Sequence, residues 1–240
     1  MAAMADSAAQ ARLNARVAGL LYIVVILGGT FAPFVVAPSS LAGDPAAITA
    51  KILQSQGAYR FGGLAELVVL ACDIALAVIF YQLLKPVSQT VAMLAAAFRL
   101  AYAAINGANV TLHFAPLLVL TDRSAPQPSL AVTFTRLHLL GFDVALVFFG
   151  VHVALLGYLV FRSTYLPRAL GLLLVLGGAA YLANSVISLL APGALSGKAL
   201  VLLAPAGLAE IALALWLLAF GVNARRWEER AQVTGPSASA

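Results

Sequence analysis

Cysteine occurs once in this chain, at Cys72. A single thiol forms no internal disulfide and leaves neither a CxxC redox pair nor a cysteine zinc cage. Charge is nearly as scarce. Only 10% of the 240 residues are Asp, Glu, Lys or Arg, against about 25% in soluble domains. No HExxH, HxxxH or ExxH pair is present, no GxSxG, and no glycine-rich loop ahead of a phosphate-binding lysine. The local signatures of zinc proteases, serine hydrolases and nucleotide-binding enzymes are therefore missing. The net charge of +5 is no nucleic-acid signature, because the basic residues sit mostly at the ends of apolar runs, where they fix membrane topology.

What the chain holds in excess is apolar residues, 62% of the total, with a mean hydropathy of +0.99. Six runs are long enough to cross a hydrocarbon core of about 30 Å: 17–37, 60–84, 88–119, 130–161, 168–190 and 199–222. Pro, Gly, Ser and charge clusters separate them. The expected fold is all-α, a polytopic six-helix membrane bundle. It divides into an N-terminal segment 1–16, a membrane domain 17–222 and a basic tail 223–240 that ends in a disordered-looking stretch. The first run is longer than a signal-peptide core of roughly 7–15 residues and reads as an uncleaved helix. Asp44–Pro45 is a helix-start signal, and "AAITAKILQSQ" after it fits a short interfacial helix or an ordered loop equally well.

Six spans put both termini on one side, with Arg12, Arg16, Lys85, Arg162, Arg168, Arg225, Arg226 and Arg230. The other side holds Lys51, Arg60, Arg123, Arg136 and Lys198. That excess places the termini in the cytoplasm. "DIALA", "DVALV" and "EIALA" recur in the second, fourth and sixth spans, and "RVAGLL" and "RALGLL" open the first and fifth. The recurrence suggests three related helical hairpins, with chance similarity a serious competitor in so Ala- and Leu-rich a chain.

The polar residues inside the spans carry the functional expectation. Each membrane-embedded charge costs roughly 2.5–3.5 kcal/mol on insertion scales, so such residues face the bundle interior and pair with something. Arg99, Tyr102, Asn106, Asn109 and His113 are spaced 3, 4, 3 and 4 apart and form one helical stripe. At about 1.5 Å per residue, Arg99, His152, Asp73 and Glu210 lie at similar depth and form an expected inner polar centre. Arg99 can neutralise one of the two carboxylates. The excess charge then needs a bound proton, a bound cation or a protonated His152. An outer cluster is expected from Glu66, Asn106, Asn109, His113, His138, Asp143, Tyr181 and Asn184. Glu66 shares a helix face with Asp73, and His138 with His152, but Asp143 sits about 140° round from His138. A metal, if present, would take His113, His138, Glu66 and Asp143; a haem between His113 and His138 also fits their depth. No cofactor is firmly implied.

Several blocks, "RVAGLLYIVVILGG", "LACDIAL", "AAFRLAYAAINGAN", "LVFFGVHVALLGYLVFRSTYLPRALG" and "LAEIALALWLL", resemble the bacterial membrane family catalogued as domain of unknown function 4386. The likeness spans roughly residues 16–222 and implies a six-helix protein of the bacterial inner membrane with no assigned activity. Three functions compete. The first is binding or transport of a proton, cation or small polar solute in a polar cavity, with a homodimer compatible. The second is an intramembrane enzyme acting on a lipid-like substrate. The third is a non-catalytic partner or scaffold. The lipid bilayer is the expected environment in each, and nucleic acid is not an expected partner.

Overall fold

The computed structural model describes residues 2–36, 45–122, 126–195 and 198–234. Eight helices follow in order: α1 (Ala2–Val36), α2 (Pro45–Gln54), α3 (Gln56–Leu84), α4 (Gln89–Leu120), α5 (Pro128–Arg162), α6 (Arg168–Leu190), α7 (Ala199–Ala219) and α8 (Ala224–Thr234). There is no strand among the described residues. Six helices, α1 and α3 to α7, are long and apolar enough to cross a membrane. Large apolar side chains such as Phe61, Leu64, Leu118, Leu176, Leu200 and Leu215 stand on the outside of the bundle. In water that surface would be a liability; in lipid it is the ordinary exterior of a multi-pass protein.

Each spanning helix packs against its neighbours in sequence, and α7 returns to α1, so the six close into a ring. Local signals set the breaks. Ser88 caps α4 through its hydroxyl, which accepts from the Val91 N–H at 3.4 Å. Pro128 opens α5, where its missing N–H costs nothing. Gly221, at φ +65°, turns the chain from α7 into α8.

At three stretches the structure adds helix or decides what the sequence left open. α1 begins at Ala2, so the helix runs through most of the segment 1–16; alanine, the best helix former, dominates there. The ambiguous stretch after Pro45 is the helix α2. The tail from Ala224 to Thr234 is the helix α8, and residues 235–240 lie outside the described residues. So do Asp44 and Arg123.

Small residues let the helices touch backbone to backbone. A Cβ added at Gly157 on α5 would meet Val175 N at 2.6 Å and Gly171 O at 2.7 Å; one at Gly178 on α6 would meet Ala154 N at 2.6 Å and Gly150 O at 2.7 Å. Backbone cannot yield as a flexible side chain does. Gly178→Val is therefore expected to destabilise the bundle by at least the ~1–3 kcal/mol of ordinary overpacking, read as a lower midpoint of unfolding in mixed micelles. Gly207→Ala, which meets nothing within 4 Å, should not lower it, since alanine is the better helix former.

The two ends of the bundle are closed differently. At the end carrying both termini, α8 lies against α1, and Ser7 Oγ donates to Glu228 Oε1 at 3.3 Å. Leu83 O accepts from both Tyr165 Oη (2.7 Å) and Trp227 Nε1 (2.9 Å). Burial pushes the Tyr165 phenol above its ordinary value, so it stays a donor. At the far end α2 packs on α3, α4 and α5. Ile48 and Ile52 there join Tyr59, Leu117, Leu120, Ala131 and Val132 in a second apolar cluster.

Candidate functional site: two polar layers inside the ring

All five residues of the α4 stripe are buried: Arg99, Tyr102, Asn106, Asn109 and His113. They connect two polar layers at different heights.

The inner layer is built at one level. Asp73 is eleven residues from the end of α3, Arg99 ten from the start of α4, His152 ten from the end of α5, and Glu210 nine from the end of α7. Arg99 and Asp73 are both fully enclosed. Arg99 Nε donates to Asp73 Oδ1 at 3.0 Å, and Nη2 donates to the same oxygen. Nη1 donates to His152 Nε2 at 2.9 Å. A guanidinium has no acceptor, so Nε2 must present its lone pair. His152 Nδ1 then carries the proton and donates to Ala95 O at 2.8 Å. His152 is thereby held as a neutral imidazole, which removes a protonated His152 as the source of the missing positive charge. Aromatic faces enclose the guanidinium: its Cζ stands 5.1 Å from the Tyr22 ring centre, 5.7 Å from Phe80 and 5.5 Å from Phe149. Asp73 is thus the carboxylate that Arg99 takes.

The outer layer is built on two reciprocal clasps. Between α3 and α4, Tyr59 Oη donates to His113 O at 2.8 Å, and His113 Nε2 donates to Tyr59 O at 2.9 Å. Between α4 and α5, Asn109 Nδ2 donates to His138 O at 2.9 Å, and His138 Nδ1 donates to Asn109 O at 3.2 Å. Carbonyls only accept, so His113 Nε2 and His138 Nδ1 carry protons. The other ring nitrogen of each histidine is left facing Glu66. Glu66 Oε1 lies 3.0 Å from His113 Nδ1 and 3.5 Å from His138 Nε2. His113 Nδ1 nevertheless has no hydrogen bond of normal geometry. All three atoms fall within 4.8 Å of one another.

Asp143 is not part of this group. Five residues from His138, it points to another side of α5, where it is half-buried. Tyr181 also leaves the expected outer cluster. Its ring packs on Phe149 at 5.3 Å and its hydroxyl stands beside Glu210, because α6 meets α5 and α7 rather than α3. Asn184, buried on the same helix, has an unpartnered Oδ1. Asn106 stays with the outer group, its Oδ1 accepting from Asn109 Nδ2 at 3.4 Å. The histidine rings meet edge to face with centres 5.4 Å apart, too close to flank a haem.

Sequence reasoning missed Tyr59, Tyr22, Gly63 and Gly141. Tyr59 lay just outside the second apolar run. A Cβ on Gly63 would meet His113 Cδ2 at 2.8 Å, and one on Gly141 would collide with Asn109 Oδ1. Both glycines clear space for the clasps, and nothing in their sequence neighbourhood marks that role.

A closed ring of six apolar helices with Asp73, Arg99 and Glu210 buried in its interior defines a multi-pass integral membrane protein. The family profile "Domain of unknown function (DUF4386)" matches residues 17–221, and the chain belongs to that family. An "Uncharacterized protein" of Archaeoglobus fulgidus is 30% identical over 163 residues, 68% of this chain and 84% of the relative. The likeness therefore extends to an archaeon. No solved structure matches.

Proposed function

We propose that this chain is an intramembrane metal-binding protein that holds one first-row divalent cation between Glu66, His113 and His138. One observation carries the reading: two histidine nitrogens, each in the tautomer fixed by a backbone carbonyl, face a single carboxylate oxygen without forming a proper hydrogen bond to it at His113. Metal-ligating histidines are oriented in this way by partners on the far nitrogen. Two ligands about 2.0–2.1 Å from a metal in tetrahedral geometry stand ~3.3 Å apart, and the separations of 3.0 and 3.5 Å bracket that value. Imidazole with carboxylate suits zinc, iron, nickel or copper rather than calcium or magnesium.

Three protein ligands leave a coordination position for water or substrate, and Glu66 keeps 13% of its side chain accessible. Both features support an enzyme acting on a lipid-like substrate over a closed structural metal. Transport through the Arg99 centre has less support, because the guanidinium is fixed by two partners and covered by three aromatic faces. With the terminal side in the cytoplasm, as the basic residues suggest, the metal lies in the outer half of the membrane.

Elemental analysis of protein purified in mild detergent, exposed to equimolar zinc, iron(II), manganese and nickel and then dialysed, tests this. About one first-row metal per chain is expected in the native protein, and none in the His113→Ala, His138→Ala double variant. A well-folded native protein that retains no metal overturns the proposal.

A further inference from the structure

Glu210 takes no part in the outer site or in the Arg99–Asp73 pair, yet it is buried, and its Oε1 has no partner. α7 packs against α1 and α6. The titratable groups that face Glu210 from these helices are Tyr22 on α1 and Tyr181 on α6; Asp73 on α3 and Arg99 on α4 lie within electrostatic reach across the ring. Tyr22 Oη and Asp73 Oδ2 are likewise buried without partners. Arg99 is the one Lys or Arg buried among the described residues, and Asp73 already neutralises it. His152, held neutral between Arg99 and Ala95, supplies no second charge. An ionised Glu210 would leave one uncompensated negative charge in the middle of the bundle. Burying such a charge costs several kcal/mol, and a group in that position neutralises instead.

We propose that Glu210 is a proton-binding site: it holds one exchangeable proton at the level of the Arg99–Asp73 pair, and release of that proton converts the inner layer from neutral to singly negative. The proton sits on a carboxyl oxygen and leaves as hydronium to water, so no other bond changes. Tyr181, whose hydroxyl stands beside Glu210, is the donor that faces the carboxylate left behind. The site is separate from the outer histidines. Glu66 lies seven residues from Asp73 along α3, about 10 Å away, so the two proposals stand or fall independently.

Infrared difference spectroscopy of the full chain in lipid vesicles, between low and high pH, tests this. A carboxylic-acid C=O band is expected at neutral pH. It should shift in D2O, disappear as the pH is raised, and be absent in Glu210→Gln while persisting in Asp143→Asn. Should Glu210→Gln fail to fold, Glu66→Gln protein grown with 13C-carboxyl glutamate gives the same assignment, since Glu210 is then the one buried glutamate among the described residues and the band must still shift. The proposal is overturned if the band does not shift with the glutamate label. It is also overturned if the band fails to exchange in D2O, or if it is replaced at neutral pH by a carboxylate band whose position depends on sodium.

Discussion

Arg99→Ala is expected to cost more stability than any other single substitution in the ring. Arg99 is fully buried and makes two bonds to Asp73 Oδ1 and one to His152 Nε2. Its removal strands the Asp73 carboxylate in the buried interior and leaves the His152 lone pair without a donor. Breaking a buried pair from one side costs about 3–5 kcal/mol, much of the ~5–15 kcal/mol that holds a typical domain together. Arg99→Lys keeps the charge but loses the planar fork that reaches both partners, and should fall between the native protein and Arg99→Ala. The double variant Arg99→Met, Asp73→Leu removes both charges. It should recover a large part of the loss, since apolar replacement of a whole buried pair is often neutral. Denaturant unfolding in mixed micelles gives the three values. A double variant no more stable than Arg99→Ala would mean that the pair itself, and not the stranded charge, sets the cost.

The second large effect concerns Glu66. Glu66→Gln keeps the shape of the side chain but removes the carboxylate on which both imidazoles converge. Metal affinity is expected to fall at least hundredfold, measured by competition with a chelator of known affinity, while the unfolding midpoint changes little. Tyr59→Phe deletes only the hydroxyl that donates to His113 O. Supporting contacts of this kind are worth about 10–100-fold in affinity, so the loss should be smaller. Asp143→Asn should leave affinity unchanged, because Asp143 lies outside the group. Binding should also weaken as the pH falls, since a protonated imidazole has no lone pair for a metal. Equal affinity in the native protein and Glu66→Gln would remove the carboxylate from the site.

The α4 stripe shows how far linear spacing reaches. Arg99, Tyr102, Asn106, Asn109 and His113 share a face because 3.6 residues make a turn, and lipid outside forces that face inward. Spacing along each helix also placed Asp73, Arg99, His152 and Glu210 near one level, because rise per residue is constant. The same logic warned that Asp143 points away from His138.

Length, hydropathy and the punctuation between runs determined the number of spans, the membrane environment and the inward-facing stripe, since these depend on local geometry and on lipid as solvent. Ring order is a different matter. Periodicity gives each helix a face but no neighbours, so only the tertiary structure decided that Asp73 and not Glu210 meets Arg99. It likewise decided that Tyr181 joins Glu210 and that Glu66 falls between His113 and His138. Those choices depend on close approach at small residues such as Gly63, Gly141, Gly157 and Gly178. A missing Cβ has meaning only when the opposing helix is known, because the contact it permits is made by atoms far away in sequence.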